Sequence, residues 1–281
     1  MSHPSAASPT NPTLGPVATG RSIAAIVGNG VGIGAGPVIG GACFALCAWQ
    51  AGRARRHPGV APTVVATSGP VGHLGTPGPP PVRITWLGDS LAAGIGADHV
   101  DDTPAILVAR MLERPVDVRV LAVPGARSVD VVDQQLPALR GDEDLVVVCV
   151  GSNDVASTTK RRAYVRQIDV ILAATAPTPT IVLGLPDITM ADRIGQPLRW
   201  LAGLRANWFE AAGMRAISRH SHVTTVDIST RPPGLTRAAG KEMLCADRFH
   251  PGPQVYRVWA ERIATAGERL LADARLTTSP S

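Results

Sequence analysis

From Val82 onward the chain alternates between short, nearly continuous apolar runs and longer segments whose apolar residues recur at helical spacing. Val82–Leu87, Val116–Val123, Leu145–Val150, Thr180–Leu185 and Val223–Asp227 read as strands. Pro104–Leu112, Val129–Leu136 capped by Ser128, Arg161–Ala174, Leu198–Ser218 and Val255–Ala272 read as helices. Strands that are apolar on both faces need helices on both sides, which is the condition of a parallel sheet. The alternation predicts an α/β fold: a three-layer α/β/α sandwich with a mostly parallel central sheet.

The first 81 residues follow a different pattern. Residues 1–21, rich in Ser, Pro, Thr and Gly, read as a disordered tail. Residues 22–51 contain no charged side chain and are long enough to cross a bilayer, which takes about 20 apolar residues. Seven glycines and Pro37 make them a poor helix, so they read as a single membrane anchor or a signal-like segment. The run Gly28-Asn29-Gly30-Val31-Gly32-Ile33-Gly34 has no strand before it and no acid about 20 residues later, so it is no dinucleotide loop. Gly40 stands where a lipobox has a large aliphatic residue before Cys43. Residues 52–81 form a Pro/Gly-rich linker, and residues 276–281 a second disordered tail, leaving 82–275 as the folded domain. Arg53, Arg55 and Arg56 after the uncharged segment argue for a cytoplasmic domain, whereas the stiff proline linker is typical of exported ones; the side of the membrane stays open.

Charge narrows the function classes. The sequence pI is about 9.5, with 27 Lys+Arg against 22 Asp+Glu. All the acids lie beyond residue 81 and only four arginines before it, so the folded domain is almost neutral. Without a basic stripe interleaved with aromatics there is no footprint for nucleic acid. The four cysteines show neither zinc spacing nor a disulfide framework, although a Cys149–Cys245 bridge stays open.

In a parallel sheet, chemistry collects in loops beyond the C-terminal strand ends. Gly88-Asp89-Ser90-Leu91 follows the first strand, Pro124-Gly125-Ala126-Arg127-Ser128 the second, and Gly151-Ser152-Asn153-Asp154 the third. Asp247-Arg248-Phe249-His250-Pro251 precedes the closing helix. These blocks, in this order over residues 82–273, resemble the SGNH hydrolase family of GDSL esterases and lipases. The resemblance implies a flavodoxin-like SGNH fold and an ester hydrolase. It further implies Ser90 as nucleophile, Asp247 and His250 as its activating pair, and an oxyanion hole from the backbone N–H groups of Ser90 and Gly125 and the side-chain amide of Asn153.

The residue chemistry leads the same way. A serine hydroxyl needs a base, and imidazole titrates near neutral pH. Asp247, three residues before His250, can hold the ring tautomer that turns Nε2 toward Ser90. No metal or organic cofactor is required. Read singly, Ser90 is a helix cap and Asn153 a turn residue; read jointly with Gly125, Asp247 and His250, they form a reactive site. Acyl transfer to an alcohol and deacetylation of a carbohydrate would use the same residues, and a membrane-tethered binding module without turnover is the reading from a different class. Asp98, His99, Asp101 and Asp102 read as a solvated turn, and Asp89 and Asp154 as braces of their own loops. Asp187 reads as a turn residue or part of the mouth of the site. Trp200, Trp208 and Phe209 read as core, His220 and His222 as exposed, and Arg127 as solvated. The substrate is a small-molecule or lipid ester.

Overall fold

The computed structural model describes residues 69–71, 80–112, 114–191, 193–229 and 243–278, together with Leu46 and Gln50. The tail 1–21, nearly all of segment 22–51 and most of the linker lie outside the described residues, so the readings made for them above are not addressed. Among the described residues no helix is long and apolar enough to cross a membrane.

Six strands form one sheet: β1 (Gly69–Val71), β2 (Val82–Gly88), β3 (Val116–Val120), β4 (Leu145–Cys149), β5 (Thr180–Leu183) and β6 (Val223–Val226). Their order is β1-β3-β2-β4-β5-β6, parallel throughout except for the β1–β3 edge pair, which is antiparallel. The helices are α1 (Pro104–Met111), α2 (residues 128–138), α3 (Ser152–Ala156), α4 (Arg161–Thr175), α5 (Leu198–Ile217) and α6 (Pro253–Thr278). Helices α1 and α6 cover one face of the sheet, and α2, α4 and α5 the other. This is the three-layer α/β/α sandwich expected from the hydropathy pattern.

Strand β2 shows why the runs are continuous. Trp86 and Leu87 point to opposite faces, and both are fully buried, one in each core cluster. Burying a side chain of this size contributes about 1.5–3 kcal/mol, so both faces are mainly apolar, with Thr85 the buried polar residue on the Leu87 face. The order also creates a switch point: β3 lies on one side of β2 and β4 on the other. The loops leaving β2 and β4 diverge there and open a crevice at the carboxyl ends of the strands, the usual ligand position in such sheets.

Four elements depart from the expectation, one of them α3, which occupies the stretch read as a loop after β4. β1 lies inside the stretch read as linker and pairs Val71 with Val116. The helix read over Val129–Leu136 begins at Ser128, with Arg127 rather than Ser128 at the cap; the Arg127 N–H donates to Asp130 Oδ2 at 2.8 Å. It then passes through a π turn over Val131–Gln135 and a 3-10 turn over Leu136–Ala138. The closing helix extends to Thr278, into residues read as a tail.

Candidate active site

Ser90 sits in the turn that leaves β2. The preceding Asp89 is fully buried; its N–H donates to Cys149 O at 3.0 Å, tying the turn to β4. The Asp89 Oδ1 accepts the Leu91 N–H at 3.0 Å, and the Ile95 N–H closes on Ser90 O at 2.9 Å. From α2, the Gln135 amide donates to Gly88 O and accepts the Gly88 N–H, both at 2.8 Å, which fixes the strand end carrying the serine.

The second half of the site is a tight loop ahead of α6. Its ends are held by the Leu244–Pro251 bridge and by the Cys245 N–H on His250 O at 2.9 Å. Asp247 is buried inside it, and its Oδ1 accepts three donors: the N–H of Phe249 at 2.8 Å, the N–H of His250 at 2.9 Å and the Cys245 thiol at 3.0 Å. Its Oδ2 lies 2.5 Å from His250 Nδ1. Burial by itself raises this carboxyl's pKa, but hydrogen bonds from His250 and Cys245 and the nearby imidazole outweigh burial and hold it well below the usual range. A carboxylate can only accept, so the ring proton belongs on Nδ1 and Nε2 is left to accept from Ser90 Oγ at 3.0 Å.

Two contacts align the halves. Gly96, at φ +108, brings its turn so near the His250 loop that a Cβ there would lie 2.1 Å from Pro251 O. From α6, the Tyr256 hydroxyl donates to Ile95 O at 2.6 Å.

The loops after β3 and β4 complete the crevice. Gly125 adopts φ +86 with open space where a Cβ would be, so its backbone angle, rather than crowding, calls for glycine. Among the described residues the Ser90 and Gly125 N–H groups have no hydrogen-bond partner. Asn153 Nδ2 donates to Ala126 O at 3.0 Å and lies 3.4 Å from Asp89 Oδ2.

Asp154 does more than brace its own loop. It accepts the Ser128 N–H at 2.8 Å, and its other oxygen lies 2.8 Å from Ser128 Oγ, so it ties the β4 loop to α2. From α5, Arg205 caps carbonyls at the end of α3 and just beyond it: Nε donates to Val155 O at 2.9 Å, and a terminal nitrogen reaches Ser157 O at 3.2 Å and Thr159 O at 2.6 Å. Residue-type reasoning overlooked Gln135, Cys245 and Arg205, because their partners are fixed only in three dimensions.

An apolar cleft of about 170 Å³ runs from this centre. Ser90, Asn153 and His250 form its polar end, and Leu91, Val155, Ile188, Met190, Ile194 and Leu198 are among its apolar walls. Gly125 is not part of the lining. Asp187 is: it lines the cleft and also serves its turn, its Oδ1 accepting from the Thr189 N–H at 2.9 Å.

The remaining sequence readings divide. Cys149 and Cys245 are both free thiols, so the bridge left open is absent. Asp101 pairs with Arg110 at 2.8 Å, and no group of three metal-ligating side chains occurs among the described residues. Arg127 is not simply solvated; it pairs with Asp130 at 3.2 Å. His220 and His222 are half-buried rather than exposed, His220 lying 3.4 Å from Asp169. Phe209 is core as read, but Trp200 and Trp208 are each 54% exposed.

Serine, imidazole and carboxylate thus stand aligned at the switch point of a doubly wound sheet. The chain belongs to the GDSL-like lipase/acylhydrolase family, whose model matches residues 86–258. It is 27% identical over 193 residues to a GDSL-like esterase of Mycobacterium tuberculosis (strain ATCC 25618 / H37Rv), covering 66% of this chain and 61% of that protein. The chain thus spans about three fifths of that relative's length. Its fold is similar to that of a lipase/acylhydrolase from Enterococcus faecalis, with TM-score 0.52 and 20% identity over 67% of this chain and 96% of that one. It is also similar to a lipase from a goat rumen metagenome, with TM-score 0.51 and 18% identity over 67% and 99% of the two chains.

Proposed function

We propose that the protein hydrolyses carboxylic esters through an acyl-Ser90 intermediate. The observation that carries this is the unbroken alignment from Ser90 Oγ through His250 to Asp247, at 3.0 and 2.5 Å. As Oγ bonds to the ester carbonyl carbon, His250 Nε2 takes its proton, and Asp247 stabilises the imidazolium. The carbonyl oxygen, now an oxyanion, faces the Ser90 and Gly125 N–H groups and the Asn153 amide. The N–H groups of Ser90 and Gly125 are free of other partners, and only a long contact to Asp89 engages the second hydrogen of Asn153. The C–O bond to the alcohol breaks as His250 returns the proton to the leaving oxygen. A water molecule then repeats the attack with His250 as base, releasing the acid and restoring Ser90.

The walls of the cleft favour an ester with an apolar acyl or alkyl group over an acetylated sugar, because there are few polar side chains to match sugar hydroxyls. The test is Ser90→Ala in the full chain against p-nitrophenyl esters of increasing acyl length. The expected result is loss of turnover and of fluorophosphonate labelling, with wild-type rates rising from acetate to longer acyl groups. Full activity in Ser90→Ala would overturn the mechanism; acetate as the best substrate would overturn the substrate class.

A further inference from the structure

Helix α5 carries Trp200, Leu204 and Trp208 four residues apart, and all three are exposed. That spacing places them on one face, opposite the buried Ala206, Phe209 and Ala216. Contiguous exposed apolar surface of this kind marks a binding face.

Two further observations say what covers it. The first is charge. Lys160, Arg161, Arg162 and Arg166, at the start of α4, are exposed, and none of them has an ion-pair partner among the described residues. The hydrogen bond from Arg205 to Thr159 O sets this cluster beside the middle of α5. Cations at a helix N-terminus oppose the helix dipole, so helix stability does not account for them. The second is the course of the chain. Gln50, at the end of the uncharged segment 22–51, accepts the Leu198 N–H at 3.3 Å and donates to Gln196 O. A stretch long enough to enter a bilayer therefore ends at the N-terminus of α5, within a turn of Trp200.

We infer that the Trp200–Leu204–Trp208 face of α5, with the cations at the start of α4, docks on the surface of an anionic phospholipid bilayer. Tryptophan settles at the headgroup level with its ring toward the acyl chains, and each nearby cation strengthens partitioning about fivefold. The same helix contributes Leu198 and Ala202 to the cleft, and Phe249, beside His250, is exposed at its edge. Such docking goes beyond the proposed ester hydrolysis, and its test does not depend on turnover.

The experiment uses the full chain carrying Trp49→Phe, so that Trp200 and Trp208 are its exposed indoles while Trp86 and Trp259 stay buried. It is mixed with vesicles of dibrominated phosphatidylcholine and phosphatidylglycerol, and sedimentation and tryptophan fluorescence are both read. Strong quenching is expected in Trp49→Phe and none after the further changes Trp200→Phe and Trp208→Phe. Replacing the four cations with glutamine should weaken vesicle binding by roughly several hundredfold. Protein that pellets with vesicles without quenching, or that does not pellet, overturns the inference. So does a dimer in solution that dissociates on Trp200→Phe/Trp208→Phe, which would assign the face to a second copy of the chain.

Discussion

Replacing Asp89 with asparagine tests the electrostatics beneath the Ser90 turn. Asp89 has no exposed surface, and burial pushes its carboxyl pKa up to about 7; the Leu91 N–H opposes this rise and the nearby Asp154 adds to it. In the unfolded chain the group titrates near 3.9. Because the folded pKa is the higher one, the folded state binds more protons between these values. The contribution of Asp89 to stability is therefore fully present below about pH 4 and is lost as pH rises through about 7. At about 1.36 kcal/mol per pH unit, the two units from pH 5 to 7 come to about 3 kcal/mol lost by pH 8. Asparagine keeps an oxygen for the Leu91 N–H but carries no charge at any pH. Urea unfolding of wild type and Asp89→Asn at pH 5 and pH 8 should show the variant gaining about 3 kcal/mol relative to wild type between the two conditions. Every other titrating group cancels in that difference, provided it does not couple to Asp89. Parallel pH dependence in the two proteins would refute the assignment of the shift to burial at residue 89.

Cys245→Ala removes one of the donors to Asp247 and should lower kcat a few-fold, about 1 kcal/mol, with KM unchanged, whereas Cys245→Ser should keep the rate. Gly96→Ala combines an unfavourable φ with a clash on Pro251 O and should destabilise by about 3 kcal/mol, lowering Tm by roughly 6–12 °C in a thermal melt. Arg205→Ala leaves three carbonyls at the end of α3 and just beyond it without their charged donor and should cost roughly 2–3 kcal/mol in chemical denaturation, with kcat falling because Asn153 rides on that helix.

The fold was legible because burial on both faces forces the residue pattern: a strand such as Leu145–Cys149, covered on each side, has little choice but to be apolar throughout. Short elements left no such trace. β1 has three residues and α3 five, too few for a periodicity, and both owe their form to neighbours: β3 for one, the Arg205 cap for the other. Within the candidate site, Ser90, Gly125, Asp247 and His250 were singled out because each stands in a loop at a strand end or ahead of the last helix, whereas Asn153, expected in a loop, stands on α3. What positions them was not legible. A glutamine in a helix or a cysteine two residues before an aspartate has no meaning until the chain closes on itself. Trp200 and Trp208 erred in the other direction. Hydropathy assigns large aromatics to the core, but their spacing of eight, with Leu204 between, places them on a face that α5 turns away from the sheet.

The pair proposed to react is split across the chain: Ser90 and His250 are 160 residues apart. At ribosomal rates of about 5–20 residues per second, the serine emerges roughly 10–30 s before its base exists. Through that interval the nascent protein carries an ordinary hydroxyl, unable to cleave esters in the surrounding cell. Chemical competence arrives with the final helix, since Tyr256 on α6 is what staples the Ser90 turn to the His250 side of the molecule. In the mechanism proposed above, Ser90 is thus armed only by completed folding, and loss of the closing helix would leave an inert chain rather than an unregulated enzyme.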